Sequence, residues 1–173
     1  MLTVHNTVLS KKDVWYVKKY AYWVLNRFVK QSTLRKSHIH LDIVNPQDTE
    51  GSEKKEMKSY RAWVVYDGVV NGKRKFSVTL NAERIDRRSK TPLRRLKNLL
   101  IDLGHEIIHV KQYLNNEIFE YVNGNVRYKG TYFDSSYSID TELYFESPWE
   151  IEAYGREIGL YRIFEETMRK RGL

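Results

Sequence analysis

Residues 91–114 read TPLRRLKNLLIDLGHEIIHVKQYL, and the fold is best approached from this stretch. Thr91 can cap a helix whose first position is Pro92, where the missing N–H leaves nothing unpaired. Leu96, Leu99, Leu100, Leu103, Ile107, Val110 and Leu114 then fall on one stripe at 100° per residue, the pattern of a helix packed on a core. Within this helix, His105-Glu106-Ile107-Ile108-His109 sets two imidazoles one turn and about 40° apart, so that both can bind one ion. Glu106 projects about 60° from His109, close enough to take a proton from a metal-activated water without being a ligand itself. The histidines point almost opposite to the leucine stripe, yet Ile101 and Ile108 lie beside them. A covered cleft over the histidines satisfies both facts.

Working outward, Ser10 and Asp13 mark the start of a helix whose apolar residues, Val14, Val17, Tyr20, Ala21, Val24, Leu25 and Phe28, keep helical spacing to about Gln31. His38 to Val44 reads as a strand, and Asn45 to Ser59, polar and without periodicity, as a loop. Tyr60 to Val70 and Lys73 to Asn81 are rich in aromatic and β-branched residues, and Asn71-Gly72 between them is the turn of a β-hairpin. Ile118 to Tyr121 and Val126 to Tyr128 flank Asn123-Gly124 as a second small hairpin. Thr131 to Phe145 reads as a Tyr-rich irregular stretch, and Ser147-Pro148 opens a last helix running to about Arg169. No repeat or linker divides the chain, so residues 1–173 are expected to form one α+β domain. Its parts are an N-terminal helix, a small mostly antiparallel sheet, the His-Glu helix and a C-terminal helix.

The composition is that of a globular protein: 173 residues, 41% apolar and 13% aromatic. No apolar run approaches the ~18 residues of a membrane span and no export signal opens the chain, which implies a cytoplasmic protein without a membrane partner. There is no cysteine, so any metal must be held by His, Asp or Glu. Charge divides unevenly. Residues 1–104 hold 22 Lys and Arg against 10 Asp and Glu (+12), and residues 105–173 hold 8 against 12 (−4). The basic cluster of Arg84, Arg87, Arg88, Arg94 and Arg95 can face DNA phosphates or simply form a solvated surface. The acidic C-terminal part favours a bound cation. His5, His38 and His40 fall in a tail and a strand, away from the motif.

A catalytic zinc takes three protein ligands, so a third side chain must come from elsewhere. On the last helix, Ile151, Tyr154, Ile158, Tyr161 and Met168 outline an apolar face with Glu150 at its edge, whereas Glu152 points away from it. Glu150 is therefore the preferred third ligand, with Glu152 and Glu146 as alternatives. Ser147-x-x-Glu150 is also a capping box, which would give Glu150 a purely structural role. Asp102 and Gln112, each about one turn from a histidine, are candidates to orient the imidazoles, and Tyr154 to stabilise an oxyanion; surface and core roles are the alternatives.

The stretch from Leu103 to Tyr113, followed by Pro148-Trp149-Glu150-Ile151-Glu152-Ala153-Tyr154, resembles small phage and bacterial zincin-like metallopeptidases akin to SprT-like domains. SprT-like proteins use a third histidine downstream, and none follows His109, so the resemblance is to the glutamate type. In that type the third ligand heads a Glu-x-x-Ala-Asp or Glu-x-x-Ala-Asn pattern. Glu150 and Ala153 match its first and fourth positions, and Tyr154 departs from the fifth. The resemblance implies a minimal zincin-like domain, Zn2+ held by His105, His109 and Glu150, and Glu106 as general base. A protein or peptide substrate would pair with a sheet edge, for which Lys73 to Asn81 is the expected strand. The location it implies is the cytoplasm of a bacterial or phage-infected cell. The competing expectation is a nucleic-acid-associated or phage structural protein on the same scaffold, without peptidase activity.

Overall fold

The structure is a computed structural model that describes residues 1–45 and 60–173. Most of the loop expected over Asn45 to Ser59 lies outside the described residues. Strand β1 (Leu2–Asn6) is followed by α1 (Lys11–Phe28), α2 (Gln31–Arg35), β2 (Ser37–Val44), β3 (Ala62–Val70) and β4 (Lys73–Asn81). Next come α3 (Ala82–Arg87), the long α4 (Pro92–Leu114), and β5 (Ile118–Glu120), β6 (Val126–Tyr128) and β7 (Thr131–Phe133). The short helices α5 (Ser136–Ile139) and α6 (Thr141–Glu146) lead into α7 (Pro148–Lys170).

The local signals produce the expected elements where they are strongest. Ser10 caps α1 by accepting from the Asp13 N–H at 3.1 Å, and Thr91 caps α4 by accepting from the Arg94 N–H at 3.2 Å. Asn71 and Gly72 have φ of 52° and 71°, the positive pair that a two-residue hairpin turn requires. Helix α1 ends at Phe28, short of Gln31, and Thr131 to Phe145 is not irregular but carries β7, α5 and α6. The N-terminal segment with His5 is strand β1 rather than a tail.

The main sheet has the order β1-β2-β4-β3. Two of its ladders, β1 with β2 and β2 with β4, are parallel, and only β3 with β4 is antiparallel. This corrects the expectation of a mostly antiparallel sheet: β1 returns to β2 through α1 and α2, a helical crossover of the kind parallel strands need. The order also places β4 in the interior and, among the described residues, β3 at the edge, so the edge strand is not Lys73–Asn81. Ile39, Leu41, Ile43, Phe76, Val78 and Leu80 project from one face of the sheet into the core, where Leu99, Leu103, Ile107 and Val110 of α4 join Val17, Tyr20 and Val24 of α1. Helix α7 packs along the opposite side of α4. As a result α4 is buried almost all round from Leu99 to Leu114, although it carries charged and imidazole side chains there. The second sheet, β5-β6-β7, is antiparallel and packs Ile118, Val126 and Tyr128 on Trp149.

The face of α7 that meets the core differs from the one expected. Ile151, Tyr154 and Ile158 are exposed, and the buried residues are Trp149, Glu150, Ala153, Leu160, Tyr161, Phe164 and Met168. Carboxylates occupy part of the inward face, so hydrophobicity alone misaligns the helix. Among the described residues, no helix is long and apolar enough to cross a membrane.

Candidate metal centre

Helix α4 presents His105 and His109, one turn apart, to the first turn of α7, which presents Glu150. The three residues are almost fully buried. His105 Nε2 lies 3.2 Å from His109 Nε2 and 3.2 Å from Glu150 Oε2, and His109 Nε2 lies 3.2 Å from Glu150 Oε1. Among the described residues this is the one group of His, Cys, Asp or Glu side chains close enough to share an ion. Glu152 and Glu146 stand outside it.

The outer nitrogens have partners of their own. His109 Nδ1 donates to Gln112 Oε1 at 2.9 Å, and the orientation of that amide is set by its Nε2, which donates to the Trp149 carbonyl at 3.0 Å. His105 Nδ1 donates to Glu157 Oε2 at 3.1 Å. With both Nδ1 atoms protonated, the neutral rings turn bare Nε2 lone pairs towards each other and towards a carboxylate. That arrangement is repulsive unless a positive charge sits among them. Glu150 Oε2 is buried and, although 3.2 Å from His105 Nε2, has no hydrogen-bond partner of acceptable geometry. Separations of this size suit one ion: a tetrahedral centre with bonds of about 2.0–2.1 Å has ligand atoms about 3.3 Å apart. The residues present therefore fit a divalent metal.

The electrostatics express the same demand for positive charge. Burial by itself would lower the His105 pKa, but the carboxylates of Glu150 and Glu157 against its ring and the charge of Glu106 push it up to about 10. His109 is also raised, against its burial, chiefly by Glu150. Burial opposes ionisation of Glu150, yet the two imidazoles hold it down at about 2. Glu106 is raised because its carboxylate is buried, with the histidine charges only partly compensating. It lines a cleft of about 570 Å3 together with His105, His109, Glu150, Tyr144 and Trp149. The wall across the cleft includes Ala62, Trp63 and Val64 of the edge strand β3.

Several predicted residues have different surroundings from those expected. Asp102 bonds neither imidazole: Oδ1 is 3.5 Å from Arg61 Nη1, Oδ2 is buried without a partner, and burial raises its pKa to about 6. Gln112 does orient a histidine. Glu152 does not point away; its carboxylate is bound by Lys111 at 2.8 Å, Tyr128 at 2.6 Å, Arg156 at 3.0 Å and Gln112 at 3.3 Å, which joins α4, α7 and the small sheet. Tyr154 lies on the site, its ring 4.4 Å from that of His105. The capping box does not form: the Ser147 hydroxyl donates to the Tyr144 carbonyl, and the Glu150 carboxylate faces the histidines. In the basic cluster, Arg87 pairs with Glu83 and Arg95 with Asp86, while Arg84, Arg88 and Arg94 share the surface around them.

Two residues at the site escaped sequence reasoning. Glu157 lies seven positions after Glu150, a two-turn spacing that places both carboxylates on one face of α7. Tyr144 lines the cleft from α6, where burial and the charge of Glu150 raise its phenol pKa; nothing in the Tyr-rich stretch distinguishes it from its neighbours. No protein-family model, curated protein or solved structure matches the chain.

Proposed function

We propose that the chain is a zinc-dependent endopeptidase of the zincin-like, glutamate-ligand type, with His105, His109 and Glu150 as the zinc ligands. The observation that carries this reading is the convergence of two imidazole nitrogens and a carboxylate, each 3.2 Å from the next, with a buried glutamate beside them in a cleft. Zinc in such a site supplies a Lewis acid that polarises the scissile carbonyl and lowers the pKa of water to about 7. Glu106 takes the proton of the attacking water and delivers it to the leaving amine. Its burial suits the role of base, because burial raises the carboxyl above its ordinary range and so favours taking up the proton of the water.

The edge strand supports the peptide part of the reading. Among the described residues β3 has β4 on one side only, and Ala62, Trp63 and Val64 line the cleft, so the outer edge of β3 can pair with an extended substrate laid across the site. The test is Glu106→Gln, assayed on a denatured protein or a mixed peptide pool. Zinc content should be unchanged and cleavage should fall by at least 10^2-fold, the scale of a lost general base. Cleavage at the wild-type rate in that variant would refute the mechanism.

A further inference from the structure

An imidazole holds a cation through the nitrogen that carries no proton, and the partner of the other nitrogen decides which one that is. The two histidines obtain this partner differently. His109 donates to the neutral amide of Gln112, three residues further along its own helix. His105 donates to a carboxylate from the opposite helix, Glu157 Oε2, at 3.1 Å. Asp102, one turn back on α4, is buried nearby but bonds Arg61 instead. Tyr154 occupies the place on α7 just beyond the first turn after Glu150. Its ring packs on His105 and restrains the imidazole plane, but its face cannot accept the Nδ1 proton as a carboxylate does.

We propose that Glu157 is a positioning residue. By accepting the Nδ1–H of His105 it leaves Nε2 bare and aimed at the cleft, and so sets the metal affinity of the site. This rests on the metal reading above. The Glu157 side chain is only 18% exposed, and His105 is its single hydrogen-bond or ion-pair partner among the described residues. A largely buried carboxylate with one partner loses hydration that only that contact restores, so the contact accounts for its placement. Glu150 and Glu157 then act from one face of α7, the first as a ligand and the second through the ligand opposite.

The experiment measures zinc affinity by competition with a chelator for wild type, Glu157→Ala, Glu157→Gln and the control Glu165→Ala, which removes another α7 carboxylate, one bound to Tyr161. In parallel, nuclear magnetic resonance on the zinc-free chain follows the His105 Nδ1 proton as a downfield, exchange-protected signal. Glu157→Ala should weaken zinc binding 10- to 100-fold and lose the protected proton. Glu157→Gln, which keeps an acceptor oxygen, should recover most of the affinity, and Glu165→Ala should match wild type. Zinc affinity in Glu157→Ala within twofold of wild type, or an equal loss in Glu165→Ala, would overturn the proposal. A wild-type chain that takes up no zinc would refute the metal reading instead. The proton signal would then decide the role of Glu157 alone, and its persistence in Glu157→Ala would overturn it.

Discussion

Replacing Gly104 by alanine sets two well-measured effects against each other one residue before the first histidine. In the middle of an exposed helix the change would stabilise by about 1 kcal/mol, because alanine loses less backbone freedom on folding. In α4 the added Cβ would lie 2.5 Å from the Tyr20 hydroxyl and 3.4 Å from Tyr20 Cζ. Tyr20 is fully buried in α1, its ring packed edge-on against Phe164 at 5.0 Å, so it cannot swing aside. Overpacking of this kind costs about 1–3 kcal/mol, leaving a net loss of up to about 2 kcal/mol, or a Tm lower by several degrees for a chain of this size. The hydroxyl itself has no hydrogen-bond partner, so Tyr20→Phe should be neutral or stabilising. With the oxygen gone, the nearest remaining ring contact is an ordinary 3.4 Å, and Gly104→Ala should then show its helix-propensity gain. The assay is urea unfolding of both single variants and the double variant, which should give a coupling of about 1–3 kcal/mol between the positions. Coupling below about 0.5 kcal/mol, or stabilisation by Gly104→Ala with Tyr20 intact, would refute the close approach of α1 to α4.

Glu152 links α4, α7 and the small sheet, and its pKa is depressed: burial opposes ionisation, but Lys111, Tyr128 and Gln112 outweigh it. A depressed carboxylate contributes stability above its unfolded pKa near 4.5 that is lost as pH falls through the lower folded value. Thermal unfolding from pH 7 to pH 3 should therefore show a steeper decline for wild type than for Glu152→Gln, and parallel curves would contradict the network. At pH 7, Glu152→Ala should cost about 3 kcal/mol by leaving buried Lys111 with Glu117 as its remaining close carboxylate, measured by urea unfolding. Gly72→Ala should cost about 1 kcal/mol, because Gly72 has φ of 71° with open space around it, so the loss comes from the backbone alone. A neutral substitution there would contradict the turn.

The elements that could be read from the chain are those specified by neighbours in sequence. Thr91-Pro92 and the leucine stripe define α4, and Asn71-Gly72 joins β3 to β4. Both depend on contacts within a few residues. The place of β1 was not legible: it pairs in parallel with β2, more than thirty residues away, and a parallel ladder leaves no turn between its strands to announce it. The same physics hid which strand forms the edge, since β4 inserts between β2 and β3. At the site, the two histidines and the first glutamate were legible because helical spacing alone brings them together. Glu150 was legible only as one of several carboxylates. Its inward orientation breaks the apolar pattern of α7, as does that of Glu157, so the residues of greatest interest were those that misled a hydrophobic reading of the helix.

If His105, His109 and Glu150 together hold one zinc ion, the zinc content of untagged protein purified without chelator, measured by elemental mass spectrometry beside His109→Ala and Glu150→Ala, reads it out. About one zinc per wild-type chain, lost in both variants while they remain folded by circular dichroism, is the expected result. A wild-type chain that neither retains zinc nor takes it up when offered would contradict the account, as would full occupancy in folded Glu150→Ala.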